Sequence, residues 1–316
     1  MFLYEPLSLA QVCMWIIVFM ALVGANEFSR LNKWTGALSF IVLPLVLTFF
    51  VWPKSVPGTS VDDWFHYAKV YSCLAGCVGF WIIRYVKGAA DKKWLLCFPP
   101  LILAINILEA CIRDFQVFGF AATGQLIDGV YMMSGPWNIM NGIAGLLNII
   151  TITGWLGITI GKGKSRDMLW PDMIFPWIIA YDLWNYAYTY NCLSSHSFYC
   201  GLALLLSCTF AAFFIKKGAW LQHRAHTLAF WCMFAQTLPA FIDEGSFAVK
   251  ASMDPKAFFI VSLLALIANI AVFVYQLYRM KQLGKLSLDG QPIYTEWKVY
   301  KEVMEDEVLV SSKFVK

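Results

Sequence analysis

Carboxylates, amides and a few basic side chains set inside long apolar runs are the groups with which this sequence does chemistry. Glu109 and Arg113 stand four residues apart, the favourable order for an ion pair along a helix, and Asn106 falls on the same face. Asn138, Asn141, Gly145 and Asn148 make a polar and small-residue stripe at helical spacing. Asp182 and Asn185 share a face among Trp177, Tyr181, Trp184, Tyr186, Tyr188 and Tyr190. Gln236 precedes Pro239 by three residues, so a carbonyl is freed near its depth, and Asp243-Glu244 follow at the end of the same run.

Each of these has a structural reading beside the functional one. Glu109 with Arg113 holds a helix in register, and the asparagines serve as inter-helix glue. Asp243-Glu244 is a solvated helix end, and the tryptophans and tyrosines form an interfacial belt. Asp182 resists such a reading, because it lies at least two turns from either end of its run. An ionisable group costs about 2.5–3.5 kcal/mol at the centre of a spanning helix on insertion scales, which makes each a functional candidate.

Metal and covalent chemistry find little support. His223 and His226 are spaced i, i+3 beside Arg224, but H-E-x-x-H, G-x-S-x-G, a P-loop and G-x-G-x-x-G are all missing. We expect no metal and no cofactor. Of the nine cysteines, Cys192 and Cys200 bracket NCLSSHSFYC, a spacing that permits a disulfide, and most of the others lie in apolar runs.

The elements that position these residues follow from composition. The 316 residues are 59% hydrophobic and 14% charged, with mean hydropathy +0.62. A soluble domain is roughly 45–50% apolar and about 25% charged, so a soluble enzyme and a disordered tail are excluded. The net charge of +4, with basic residues in short scattered clusters, excludes a nucleic-acid binder. The expected fold class is all-α: a polytopic integral membrane bundle with the lipid bilayer as its first partner.

Nine runs are long enough to span at about 20 residues each: 8–27, 36–53, 67–86, 93–113, 137–161, 168–190, 197–215, 219–242 and 256–278. Lys and Arg concentrate in alternate connections, at Arg30 and Lys33, Arg84 to Lys93, Lys162 to Arg166, Lys216 to Arg224, and Arg279 to Lys285. The basic side is cytoplasmic, which places the N-terminus outside and the C-terminus inside the cell membrane. Residues 1–7 lack the basic start of a signal peptide, and no internal repeat is visible. Residues 1–285 form the membrane domain. Within it, 114–136 is a long outer connection, too apolar to hang free. Residues 286–316 form a cytoplasmic tail with a short amphipathic helix, expected to rest on the membrane surface or to dock a partner.

If the polar faces meet, spans 4, 5, 6 and 8 enclose an acidic, aromatic-walled cavity open to the outside. That suits a transporter or channel for a small polar or cationic solute, with aromatic walls for organic cations and Asp182 or Glu109 as a proton carrier. A second reading is a membrane-embedded enzyme acting on a lipid, quinone or isoprenoid by carboxylate acid/base chemistry. A third is a ligand sensor signalling through the tail.

Overall fold

The computed structural model describes residues 2–119, 125–127, 130–284 and 289–307. The chain is mostly helical, and a helical segment occupies each of the nine apolar runs. These are α1 Leu9–Arg30, α2 Lys33–Ser55, α3 Trp64–Tyr85, α4 Lys93–Phe118, α5 Pro136–Ile150, α6 Phe175–Cys192, α7 Phe198–Ile215, α8 Trp220–Thr237 and α9 Pro255–Leu283. A tenth, α10, covers Lys298–Glu307 in the tail. Among the described residues, α1, α2, α4, α7 and α9 are long and apolar enough to cross a membrane.

Local chemistry sets the helix ends. Ser8 and Gln11 form a reciprocal cap at the start of α1, Asp63 caps α3 through the His66 N–H, and Asp254 caps α9. Pro44 cannot donate a ladder bond, and wide π turns flank it within α2 at Leu38–Val42 and Leu47–Val51.

Polarity sorts the helices into two layers. The outer faces of α1, α2, α7 and α9 expose large apolar side chains such as Ile17, Phe50, Phe214 and Ile267. Helices α6 and α8 carry the polar side chains and are buried on nearly every face, α8 from Trp220 through Gln236. The close packing this demands is visible at Gly145 of α5. A Cβ there would lie 2.3 Å from Cys111 Sγ and 2.6 Å from Trp184 Nε1, so only glycine lets α4, α5 and α6 meet.

Three expectations are corrected. The fifth run does not stay helical to residue 161: α5 ends at Ile150. The sequence Ile149-Ile150-Thr151-Ile152-Thr153 is rich in β-branched residues, and Gly154 adopts the left-handed conformation (φ +66°) pressed against Asp172. Residues 151–174 instead form a folded plate at one end of the bundle, with a small hairpin of β3 Thr159–Ile160 and β4 Met168–Leu169. Gly154, Gly157 and Gly161 thus serve a loop, where Gly157 admits Pro292, rather than a helix contact.

The fourth helix runs on past 113 to Phe118. In the connection after it, β1 Gln125–Ile127 pairs with β2 Val130–Met132, and Val130, Met132 and Met133 are buried, while 120–124 and 128–129 lie outside the described residues.

The tail does not lie free. Ile293 and Tyr294 donate their backbone N–H groups to Asp172 at 3.0 and 2.8 Å, and Gly290 accepts from Leu156 N at 3.0 Å. Tyr294 stacks on Tyr275, Glu296 pairs with Arg279 at 3.2 Å, and Val303 packs on Leu169 and Ala219. Asp172 therefore anchors the tail through these backbone amides.

Candidate functional site

A cavity of about 80 Å³ runs between α3, α6 and α8. Phe65, Tyr181, Tyr188 and Trp231 form its aromatic walls, and Lys69, Asn185, Arg224 and Gln236 its polar ones. Arg224 and Gln236 stand twelve residues apart on α8, about 18 Å at ~1.5 Å per residue, so they mark opposite ends of the pocket. A smaller cavity of about 40 Å³ adjoins it and shares Asn106, Tyr181, Arg224 and Leu228.

Arg224 is buried and held only by neutral groups. Its Nε donates to Tyr181 Oη and its Nη2 to Asn185 Oδ1, both at 3.3 Å. Its Nη1 has no hydrogen-bond partner among the described residues, and neither do Tyr188 Oη nor the side-chain atoms of Gln236. No carboxylate lines the cavity among those residues. The other basic side chains at its wall are already matched. Lys69 pairs with Glu109 at 2.9 Å, His66 faces Asp63 at 3.0 Å and His196 faces Asp243 at 3.1 Å.

The two ends are closed differently. At one, Ser60 and His196 both bond Asp243. Burial holds His196 below the ordinary imidazole value even with Asp243 beside it. Burial alone would raise Asp243, but its bonds from His196 and Ser60 outweigh that and lower it. At the other end, His223 and His226 bond Asn26 and Ser29 of α1. Beyond them Asp167 is clamped by Arg30 Nε and Nη2 at 3.0 and 2.9 Å, by Gln222 at 2.7 Å and by Ser165 at 2.6 Å. Arg84 approaches it at 3.9 Å and bonds the carbonyls of Ser165 and Arg166. Burial would raise Asp167, but the Arg30 bonds and the charges of Arg30 and Arg84 hold it well below the carboxylate range.

With this geometry in hand, the comparison with known families is informative. Residues 5–306 match a family described as a family of unknown function, DUF5692. The chain belongs to that family. No curated protein and no solved structure matches it.

Within this DUF5692 chain the residues singled out from sequence fall into separate groups. Tyr181, Asn185 and Gln236 reach the cavity. Asn138 and Asn141 do not line it. They donate to Asp114 at 3.2 and 2.6 Å, and Asn191 of α6 adds a third amide at 3.3 Å. Asp182, instead of sharing a pocket with Asn185, accepts from Thr209 of α7 at 2.6 Å. Glu109 pairs with Lys69 across helices rather than with Arg113 along its own. Arg113 is buried with Nη2 3.9 Å from Met132 Sδ. Asp243 seals one end without lining the pocket. Trp177 donates to Thr151 Oγ1 at 2.9 Å and stacks on Tyr181, while Trp184 is packed against Gly145. Cys192 and Cys200 carry free thiols, not a disulfide.

The acidic cavity expected from sequence is therefore corrected: Glu109, Asp182 and Asp243 are present, but none lines the cavity, and each is matched by another side chain. Asp182 and Glu109 likewise form no shared acid/base pair. Sequence reading missed Lys69, Arg224 and Asp114. A signal for Asp114 existed, because the buried face of α4 at Leu103, Ile107, Ala110 and Cys111 continues at helical spacing onto it.

Proposed function

We propose that this protein is a multi-pass transporter of the cell membrane that admits a small polar solute to the cavity between α3, α6 and α8. It crosses nine times, with the N-terminus outside and the C-terminus inside. The observation that carries the reading is the cavity itself: enclosed by central helices, walled by aromatics, and lined by polar atoms that have no partner among the described residues. Such an arrangement is costly in a bundle unless something enters it, since a buried unpartnered polar group costs about 1–3 kcal/mol.

The orientation is supported by which ends meet. Arg30, Arg84, Asp167, Lys217, Arg279 and the tail share one end through the Asp167 clamp, the Lys217–Glu302 pair and the Arg279–Glu296 pair. The N-terminal residues Leu3 and Glu5 bond Ser252 and Lys250 at the other end, where Ser60, His196 and Asp243 also meet. The basic end is the cytoplasmic one. On this reading the cavity opens outward and the Asp167 network with the tail is the closed inner gate.

A second reading, a solute sensor, is favoured by one feature: the tail is docked on the inner plate and could be released from it. The two are separated by flux. Proteoliposomes containing the protein should take up nitrate or methylammonium faster than empty ones, and Ala235→Phe, which fills the cavity, should abolish the difference. Protein-dependent flux of neither solute would reject transport.

A further inference from the structure

We infer that the ligand of this cavity is a small oxyanion of the carboxylate type, received by the free edge of the Arg224 guanidinium. The inference rests on the cavity being a solute site, and adds the sign and size of the solute. The sign follows from the charges. Lys69, His66 and His196 each face a carboxylate outside the lining, whereas Arg224 hydrogen-bonds only the Tyr181 hydroxyl and the Asn185 amide oxygen, and the nearby Asp182 carboxylate turns to Thr209 outside the lining. An arginine inside a membrane bundle ordinarily takes a carboxylate. Here that place is left to a molecule from outside. A cation in the cavity would instead meet this charge with no carboxylate in the described lining to offset it, and the Tyr181 ring that could receive one already has the guanidinium 5.9 Å from its centre.

The geometry agrees. A guanidinium presents a planar fork of donors that matches a planar oxyanion. Nη1 is the part of the fork left without a partner, and Tyr188 Oη is a second unpartnered donor on the cavity wall. Size narrows the class. A cavity of about 150 Å³ accepts benzene, with six heavy atoms, so the ≈ 80 Å³ here suits a solute of about three to four heavy atoms. Acetate, its neutral isostere acetamide and its cationic isostere acetamidinium all have that size and differ only in charge.

The experiment titrates the detergent-purified full chain with these three at matched ionic strength, by calorimetry and by thermal shift. Acetate should bind at least tenfold more tightly than either isostere, and Arg224→Gln should remove the preference. Should Arg224→Gln fail to fold, Asn185→Asp decides. It sets a carboxylate on the guanidinium as a built-in counter-ion, so acetate binding should vanish while the melting temperature stays at or above that of the wild type. Binding of acetamidinium or acetamide in place of acetate would overturn the oxyanion and leave the solute site standing. Acetate binding unchanged in Asn185→Asp would place the anion elsewhere and overturn the inference. Binding of none of the three would overturn both it and the solute reading.

Discussion

Replacing Asp167 by Asn tests whether the end of the bundle at Arg30 and Arg84 is held shut electrostatically. The carboxylate is buried and accepts both Arg30 bonds, Gln222 and Ser165, with Arg84 close by. Asparagine keeps the shape but turns one oxygen into a donor facing donors, and it leaves two buried arginines short of a counter-ion. Breaking a buried pair from one side costs about 3–5 kcal/mol. Glu27 still pairs with Arg30, and backbone carbonyls still hold Arg84, so the lower end of that range applies. At a sensitivity of roughly 2 °C per kcal/mol, the expected fall in melting temperature is about 6 °C.

The assay is a thermal melt in detergent followed by intrinsic fluorescence. Because Asp167 titrates below its unfolded value, its contribution is present above about pH 3.9 and is lost only as pH falls through the lower folded value. The gap between wild type and variant should hold from pH 8 to 5. A double variant, Arg30→Met with Asp167→Leu, should melt above Asp167→Asn alone. An Asp167→Asn protein melting within 1 °C of wild type would refute the clamp.

Three further outcomes follow from other contacts. Asp172→Ala removes the acceptor of the Ile293 and Tyr294 amides, and limited proteolysis should cut the tail at least tenfold faster than in wild type. Equal rates would show that the tail is held by its aromatic and apolar contacts instead. His196 and Asp243 both titrate below their unfolded values, so their stabilisation is full above about pH 6.5 and declines as pH falls. Melting temperature should drop between pH 6.5 and 4, and His196→Gln should flatten the upper part of that drop. Gly145→Ala forces a methyl into Cys111 and Trp184, and overpacking of that kind costs about 1–3 kcal/mol. A variant as stable as wild type would mean that α4 and α6 yield more easily than their packing implies.

The helices were legible because a continuous apolar run has one solution in lipid. The end of α5 was less so, since Ile149 to Thr153 are apolar or nearly so and only the close approach of Asp172 to Gly154 decides that the chain turns. Site residues were legible where both partners lie on one helix and obscure where they do not. Glu109 and Arg113 have the spacing of a pair, yet the carboxylate turns to Lys69 on a neighbouring helix. Asn138 and Asn141 were read as lining a cavity, and only the fold shows them gathered on Asp114. Arg224 was counted with the cytoplasmic charges because it lies just after Lys216 and Lys217. Helix α8 starts at Trp220 and is buried nearly all round, so no periodic pattern separates a residue facing a cavity from one facing a connection.

The account stands or falls on whether a small anion crosses by way of Arg224. Nitrate is a planar oxyanion of four heavy atoms that keeps its charge at every working pH, and its flux into proteoliposomes can be compared for wild type and Asn185→Asp side by side. We predict saturable uptake by the wild type and none above empty liposomes by the variant, with both proteins folded. Equal uptake by the two would contradict the account, as would a wild type that passes methylammonium and excludes nitrate.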